Sequence, residues 1–409
     1  MAKRNGFTLV ELLITISIIA ILAGMMVVAS FAAQEAGKVQ KTRALITKLD
    51  GIIRARYESY RTRRVPVNFA TLAANDLAGT KLRLRQRVDV LRDFMRMELP
   101  DRLSDITDPP VSPVAGTVIY RPPVSEAYLA RLNAIPNETP EFQGAECLYM
   151  IVTESLEQEG DSRGVFNTGD IGDTDSDGLP EFLDGWKRPI EFLRWAPGYL
   201  SEMQNIAQVT GGTSNPSGQS VTITFTASRR FANDPSRYIR GAMAVLDSAS
   251  GQINTDRMAR ITGYSWSATG VVFTCSTPTG VTTQKPFDGN PPTASDAVVI
   301  MPPDPLDSRG AYPVYSSGGS PPTPDTSVPT YALHPLIVSG GGDKLFGIKR
   351  DTNPVLQYTA HKLNPFLVIH PASGFFFMLG AAEPGSTTEQ GWYRGCDLDN
   401  ITNHSLQSK

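Results

Sequence analysis

Cysteine and histidine are scarce in this chain, which has three cysteines and four histidines among 409 residues. Cys147, Cys275 and Cys396 lie far apart without a C-x-x-C pair, which argues against a zinc site and against a disulfide-dense scaffold. At most one disulfide could form in an oxidising compartment. Each histidine is followed by Pro, Lys or Ser, and H-E-x-x-H, G-x-S-x-G and P-loop motifs are missing. We therefore predict that the protein is not an enzyme, which is the main rival class.

A strong excess of charge is also missing, since 38 basic and 41 acidic residues leave a net charge of -3. This balance gives no general reason to expect nucleic-acid binding. The arginine-rich segment from Leu82 to Leu99 is interleaved with acidic residues, and no aromatic platform for bases follows it. We expect no nucleic-acid partner.

One long apolar run begins at residue 7 and ends at residue 33, and Glu11 is its single charge. At about 1.5 Å per residue the run could cross a bilayer core roughly 30 Å thick. No A-x-A-like cleavage site follows it, which argues against a secretory signal peptide. A carboxylate inside a membrane segment costs on the order of 3 kcal/mol, so Glu11 is expected to have a partner and a function.

The segment from Lys3 to Leu13, K-R-N-G-F-T-L-V-E-L-L, resembles the prepilin processing motif. In that family the prepilin peptidase cuts after the glycine and methylates the new terminal residue. The resemblance implies a leader peptide of residues 1–6, cleavage after Gly6 and methylation of Phe7. It also implies that Glu11 pairs with the terminal ammonium of a neighbouring subunit, which would fix the register of one helix on the next.

The resemblance further implies a single-pass protein of the inner membrane, with its head on the periplasmic or extracytoplasmic side. Other pilin or pseudopilin subunits would be its partners in a filament after processing. The basic residues that flank the apolar run are Lys3 and Arg4 before it and Lys38, Lys41, Arg43 and Lys48 after it. The positive-inside rule alone favours the opposite orientation, or neither strongly.

The helix is predicted to continue beyond the membrane to about Arg61, for a total length of roughly 80 Å. Apolar residues recur along residues 34–61 at spacings of three, four or seven: Val39, Ile46, Leu49, Ile53, Tyr57 and Tyr60. This amphipathic pattern needs a domain to pack against, so a spine helix should carry a globular head of residues 62–409. That layout is the pilin fold.

The head combines helix-like patterns with later strand-like runs. Helices are predicted near Leu82–Leu99 and Glu141–Glu157. Strands are predicted at Ile190–Trp195, Val221–Phe225, Val271–Cys275 and Phe366–His370. The order indicates an α+β head with a mainly antiparallel β-sheet. Residues 201–220, rich in Gly, Ser, Asn and Gln, and the proline-rich residues 302–329 are predicted to be loop insertions.

An acidic segment, D-T-D-S-D-G-L-P-E-F-L-D, runs from Asp173 to Asp184. Acids at positions 1, 3, 5, 9 and 12 and Gly178 at position 6 match the spacing of a calcium-binding EF-hand loop. The predicted Ca²⁺ ligands are Asp173, Asp175, Asp177, Leu179, Glu181 and Asp184. The flanking sequence does not offer two EF-hand helices, so the prediction is of a loop and not of that fold. The alternative is a solvated acidic loop.

Later segments resemble the major pseudopilins of type II secretion systems. Residues 184–189, D-G-W-K-R-P, resemble their Asp-x-Trp-Gly-x-Pro segment, with Lys187 in place of the glycine. Residues 335–347 resemble their Ser-x-Gly-x-Asp-Gly turn, and residues 397–403 fall where they place C-terminal aspartates. The resemblance implies a structural subunit of a secretion pseudopilus, enlarged relative to the major pseudopilins. The alternatives are a minor subunit of a type IV pilus and a surface adhesin that uses a pilin anchor.

Overall fold

The structure of the chain is a computed structural model. It describes residues 9–67, 77–111, 117–135, 139, 141–160, 165–200, 205–213, 220–226, 233–246, 253–276, 287, 290–294, 296–307, 314–315, 324–325, 330–343, 346, 348, 368–369, 376–377 and 400–406. Six α-helices and sixteen β-strands lie within these residues. A long N-terminal helix followed by antiparallel sheets confirms the predicted α+β, pilin-like fold class.

The helices are α1 (Leu9–Ser59), α2 (Leu77–Glu98), α3 (Leu103–Thr107), α4 (Pro123–Asn133), α5 (Gln143–Glu159) and α6 (Asn403–Leu406). Helices α1, α2 and α5 confirm the three predicted helices with small shifts of their ends. Two local signals explain where helices begin and end. Proline occupies the first position of α4, where its missing N–H is not needed, and Gly160 ends α5 with a left-handed φ of 76°.

Helix α1 changes character along its length of about 77 Å. Every residue from 9 to 37 is exposed, whereas the lower part packs on the head. The buried residues of α1 are Thr42, Leu45, Ile46, Leu49 and Ile53. Their spacing of three or four residues confirms the amphipathic face predicted for residues 34–61.

The larger core lies between the lower half of α1, the helices α2 and α5, and a three-stranded antiparallel sheet. This sheet has the order β16 (Ile401–Thr402), β13 (Leu336–Ser339) and β3 (Glu191–Leu193). Fully buried Ile53, Ile151 and Ile337 come from α1, α5 and β13. The β3 strand lies within the predicted strand Ile190–Trp195.

A second antiparallel sheet has seven strands in the order β4, β10, β7, β8, β9, β6, β5. Their bounds are β4 (Asn205–Gln208), β5 (Gly211–Thr213), β6 (Ser220–Thr226), β7 (Ala242–Leu246), β8 (Ile253–Trp266), β9 (Gly270–Ser276) and β10 (Ala297–Met301). Strands β6 and β9 confirm the predicted strands Val221–Phe225 and Val271–Cys275. Alternate residues of this sheet, with Tyr238 and Phe287, form a separate core.

The two edge strands of this sheet, β4 and β5, come from residues 201–220, where the composition predicts a loop. Only Val209 and Thr210 separate them, so the edges lie within about 11 Å and the sheet must curl. The Val209 N–H donates to Asp296 beside β10, and the Thr210 N–H donates to Thr224 in β6. Pairing with these neighbours overrides the weak strand propensity of the segment.

The remaining strands form three two-stranded pairs: β1 (Ile171–Gly172) with β2 (Glu181–Phe182), β11 (Val314–Tyr315) with β12 (Pro324–Asp325), and β14 (Val368–Ile369) with β15 (Phe376–Phe377). Strand β14 lies within the predicted strand Phe366–His370. Cys147 and Cys275 are free thiols in the two different cores, so they do not pair with each other. Cys396 lies outside the described residues.

Candidate functional site

The apolar half of α1 is the most exposed hydrophobic surface in the described part of the chain. Fifteen large apolar side chains between Leu9 and Phe31 are more than half exposed. The helix is long and apolar enough to cross a membrane, with a mean hydropathy of 2.8 in its most apolar window. Hydroxyls of Thr15, Ser17 and Ser30 donate to carbonyls three or four residues earlier, which satisfies them within the helix.

The predicted processing and assembly residues belong to this half. Glu11 lies in the first turns of α1, where the surrounding side chains are exposed and apolar. Gly6 and Phe7 lie outside the described residues. The predicted pairing between Glu11 and a terminal ammonium would involve a second copy of the chain, and it stays a prediction.

The head contacts α1 first at the turn of residues 184–188. The Gly185 N–H donates to Thr42 Oγ1 at 2.9 Å, and Trp186 Nε1 donates to Glu35 Oε2 at 2.9 Å. A Cβ on Gly185 would stand 2.5 Å from the carbonyl oxygen of Lys38, so only glycine fits there. Hydrogen bonds from Lys38 and Trp186 lower the pKa of the Glu35 carboxyl.

Further polar contacts join the head to α1 over the next five turns. Lys41 pairs with Asp170 at 2.6 Å. Asn403 Nδ2 donates to Asp50 Oδ1 at 2.8 Å, and the Tyr57 hydroxyl donates to the Leu333 carbonyl at 3.0 Å. The junction therefore draws on segments that are far apart in the sequence.

Asp184 organises the turn that meets the spine. Its Oδ1 accepts the N–H groups of Trp186 at 2.8 Å and Arg188 at 3.0 Å, and its Oδ2 accepts the Ser339 hydroxyl at 2.7 Å. The two segments that resemble pseudopilins therefore meet, although 155 residues separate Asp184 from Ser339. Lys187, in the place of the family's glycine, has a left-handed φ of 64°.

Asp184 was predicted to be the twelfth ligand position of a calcium loop, and the structure gives it different partners. It is buried, both of its oxygens accept hydrogen bonds in the turn, and it is not among the carboxylates that the structure groups together. A carboxylate that already accepts hydrogen bonds from two N–H groups and a hydroxyl stabilises the turn.

The other acidic residues of the segment gather in the hairpin loop between β1 and β2. One carboxylate oxygen from each of Asp173, Asp175 and Asp177 lies within 4.8 Å of the others. Asp173 accepts the Gly178 N–H at 3.1 Å, and Asp177 accepts the Leu179 N–H at 2.8 Å. Gly178 has a φ of 103°, so glycine is required for this bend, as the sequence predicted.

A second group of carboxylates joins this loop to α5. Glu146, Asp175 and Glu181 each place an oxygen within 4.8 Å of the others. Glu146 and Glu181 are both 0% exposed. Glu181 accepts the Thr174 N–H at 3.1 Å and its hydroxyl at 3.2 Å, whereas Asp175 accepts the Thr139 hydroxyl. Within the described residues, neither Glu146 oxygen nor Asp175 Oδ1 has a hydrogen-bond partner.

The electrostatics of this second group follow from burial and like charge. Burial, with the neighbouring charges of Asp177 and Asp175, raises the pKa of Glu146 to about 9. Burial also raises the pKa of Glu181 to about 7, although the Thr174 hydrogen bonds oppose the shift. Three carboxylates this close together repel one another when ionised, so their ionisation is unfavourable unless a positive charge lies between them.

Sequence reasoning missed Glu146 because it precedes the acidic segment and belongs to a different element. The signal that could have found it is a single acid in the apolar run from Ala145 to Val152. Those residues form the buried face and interior of α5, where an unpaired acid is costly.

Comparison with known proteins identifies the N-terminus. Residues 1–27 match the family model of the prokaryotic N-terminal methylation motif. No curated protein and no solved structure matches the chain. Proteins with this motif form a structural class, and the motif implies processing by the prepilin peptidase and assembly into pilin filaments. Together, the motif and the apolar helix support a membrane-anchored, type IV pilin-like protein.

Proposed function

We propose that the chain is a structural subunit of a type II secretion pseudopilus, processed after Gly6 and assembled through α1. The observation that carries the proposal is the division of α1 into two halves. Residues 9–37 are exposed, whereas the lower half is held in the head by a buried apolar face. A helix built in this way is fixed to its own head at one end and free to pack elsewhere at the other.

The exposed half of α1 requires an apolar environment both in the membrane-anchored precursor and in the assembled filament. Its fifteen exposed large apolar side chains form a surface far larger than a soluble monomer usually exposes. The bilayer covers such a surface in the precursor. In a filament the same surface is covered by the α1 helices of neighbouring subunits.

We assign to Glu11 the role of fixing the axial register between neighbouring α1 helices. Cleavage after Gly6 would create an ammonium at Phe7, which a carboxylate on an adjacent α1 helix can neutralise. In an apolar helix bundle an unpaired charge is costly, so pairing would favour one axial offset between subunits. This assignment rests on the motif and on the position of Glu11 in the apolar half.

The contact between Asp184 and Ser339 supports a pseudopilus over a type IV pilus. It joins the two segments that resemble major pseudopilins, and the joined turn lies against α1 through Gly185. A minor pilus subunit is the second candidate. A pilin-anchored adhesin is the third, and the curled seven-stranded sheet, which encloses a core of its own, would be its binding module.

The test compares wild type, Glu11→Ala and Thr15→Ala in the native host. We expect mass spectrometry to show a mature protein that begins at methylated Phe7 in all three. Glu11→Ala should insert in the membrane at least as well as wild type, because it removes a charge from the apolar half. Its incorporation into filaments and the export of secreted enzymes should fall at least about tenfold. The variant leaves the Phe7 ammonium unpaired in an apolar bundle, and a cost of about 1.4 kcal/mol already corresponds to that factor.

Thr15→Ala is the matched control, because in the described part of the chain the Thr15 hydroxyl bonds within its own helix, to the Leu12 carbonyl. It should assemble like wild type. An intact Met1 in filament material would exclude the processing step, and normal assembly of Glu11→Ala would exclude the register role. Loss of pilus-dependent surface attachment with normal enzyme export would favour the type IV pilus.

A further inference from the structure

The described part of the chain leaves the carboxylate of Glu146 without a hydrogen-bond partner. The residue is 0% exposed, and neither of its oxygens has a hydrogen-bond partner in the described residues. Buried polar groups in folded proteins are almost always hydrogen-bonded, and an unpaired buried carboxylate is among the most costly exceptions. Such a group indicates a ligand that is not part of the polypeptide.

The direction in which Glu146 points identifies the place of that ligand. Its carboxylate groups with Asp175 and Glu181, and their closest oxygens all lie within 4.8 Å of one another. Asp175 Oδ1 is also buried without a hydrogen-bond partner in this part of the chain. We propose that Glu146, Asp175 and Glu181 bind a divalent cation, Ca²⁺, between helix α5 and the hairpin loop.

A cation accounts for oxygens that converge without bonding to one another. Within the described residues, neither the Glu146 oxygens nor Asp175 Oδ1 take part in a hydrogen bond. A cation holds its ligands apart in this way, because each oxygen contacts the ion and not the other oxygens.

The chemistry and burial of the ligands favour Ca²⁺ among common cations. Ca²⁺ accepts irregular arrangements of protein oxygens, whereas Mg²⁺ demands near-octahedral geometry and usually keeps several waters. Two of the three ligands, Glu146 and Glu181, are 0% exposed, so the site offers little room for the waters that Mg²⁺ keeps. The all-carboxylate ligand set suits a hard cation and does not suit zinc or copper, which prefer histidine and cysteine.

The other two acids of the loop have a supporting role in this arrangement. Both Asp177 oxygens accept backbone N–H groups, one from Leu179 and one from Thr139, each at 2.8 Å. Asp173 accepts the Gly178 N–H. These bonds shape the loop that brings Asp175 to Glu146. The proposed ligand set thus differs from the predicted EF-hand register. It keeps Asp175 and Glu181 and adds Glu146 from α5. It omits four of the predicted ligands: Asp173, Asp177, Leu179 and Asp184.

The experiment measures calcium binding by the full-length protein in detergent, using calorimetry and thermal melts in CaCl₂ and in chelator. Wild type should bind one Ca²⁺ more tightly than Mg²⁺, and calcium should raise its melting temperature. Glu146→Gln should weaken calcium binding by at least about tenfold. Even residues that only hydrogen-bond to a metal ligand typically change metal affinity by that factor. In chelator the variant should melt no lower than wild type, because a neutral amide adds no charge to the buried site.

The matched control is Glu157→Gln, which removes the same charge from an exposed position of the same helix. It should bind calcium like wild type. The proposal does not depend on which filament the chain enters, and the binding measurement needs no assembly. It is overturned if wild type binds no calcium at millimolar concentration, if Mg²⁺ binds equally well, or if Glu146→Gln retains wild-type affinity and the full calcium-dependent shift.

Discussion

Lys187 has a backbone conformation that is unfavourable for any residue with a side chain. Its φ of 64° belongs to the left-handed region, which costs a non-glycine residue about 1 kcal/mol. Two contacts hold it there: its N–H donates to the Asp184 carbonyl, and its Nζ donates to the Gly169 carbonyl. The turn against α1 therefore contains local strain at the position where the resembling family has glycine.

Lys187→Gly and Lys187→Ala separate the strain from the side-chain contact. Both variants lose the bond to Gly169, but only glycine accepts the left-handed backbone without cost. We expect Lys187→Gly to be more stable than Lys187→Ala by about 1 kcal/mol, the usual difference at such a position. Denaturant unfolding of both proteins measures this difference. An alanine variant as stable as the glycine variant would show that the turn is not strained.

At the scale of elements, the turn of residues 184–188 packs closely against α1. A Cβ on Gly185 would meet the Lys38 carbonyl oxygen at 2.5 Å and the Lys38 Cα at 2.7 Å. Both atoms belong to the helix backbone, which cannot move aside as a flexible side chain can. The distance between the helix and the turn thus depends on a residue without a side chain.

Gly185→Ala is therefore expected to destabilise the head by about 2 kcal/mol, a typical cost of overpacking. Gly51→Ala is the matched control on α1, because nothing lies within 4 Å of its added Cβ. The control should gain about 0.5–1 kcal/mol from the higher helix propensity of alanine. Thermal unfolding of the two variants beside wild type provides the measurement. If Gly185→Ala melts with wild type, the turn can move away from the helix without cost.

At the scale of the whole molecule, the last described helix packs on the first. Asn403 in α6 donates to Asp50 in α1 across 353 residues of sequence. The next residue, His404, is 5% exposed, and its Nε2 lies 3.0 Å from the Pro335 carbonyl. A carbonyl only accepts, so Nε2 carries the proton of the neutral ring. The pKa of His404 is lowered to about 4, mainly by burial. The hydrogen bond to Pro335 opposes this shift, and the nearby His334 and Arg54 add to it.

This lowered pKa makes the stability of the fold depend on pH. Below about pH 6.5 the unfolded chain binds a proton on His404 that the folded chain does not bind until about pH 4. The contribution of His404 to stability is complete above that window and is lost as the pH falls through it. The loss amounts to about 3 kcal/mol, from a pKa difference of about 2.5 units.

His404→Gln should remove this part of the acid sensitivity. The Gln amide can still donate to the Pro335 carbonyl but does not titrate. Denaturant unfolding near pH 7 and near pH 5 should show a smaller loss of stability for the variant than for wild type. Equal losses in the two proteins would mean that His404 has the same pKa in the folded and in the unfolded chain.

The sequence alone was sufficient wherever the structure depends on short-range patterns. The long apolar run and the three-four spacing from Val39 to Tyr60 predicted α1 and its buried face, because a helix repeats its side-chain positions every 3.6 residues. The alternate acids and Gly178 predicted a bent acidic loop, because those features depend on adjacent residues. The N-terminal motif, read in the same way, agrees with the family model.

Only the tertiary structure decided which distant groups meet. It brought Glu146 from α5 to the acidic loop, engaged Asp184 with Ser339, and placed residues 205–213 at both edges of a curled sheet. Each outcome depends on packing between segments separated by dozens of residues or more, and local composition carries no record of those partners. Strand propensity in particular is set by neighbouring strands. The local chemistry of the acidic loop was therefore predictable, whereas the set of oxygens around it was not.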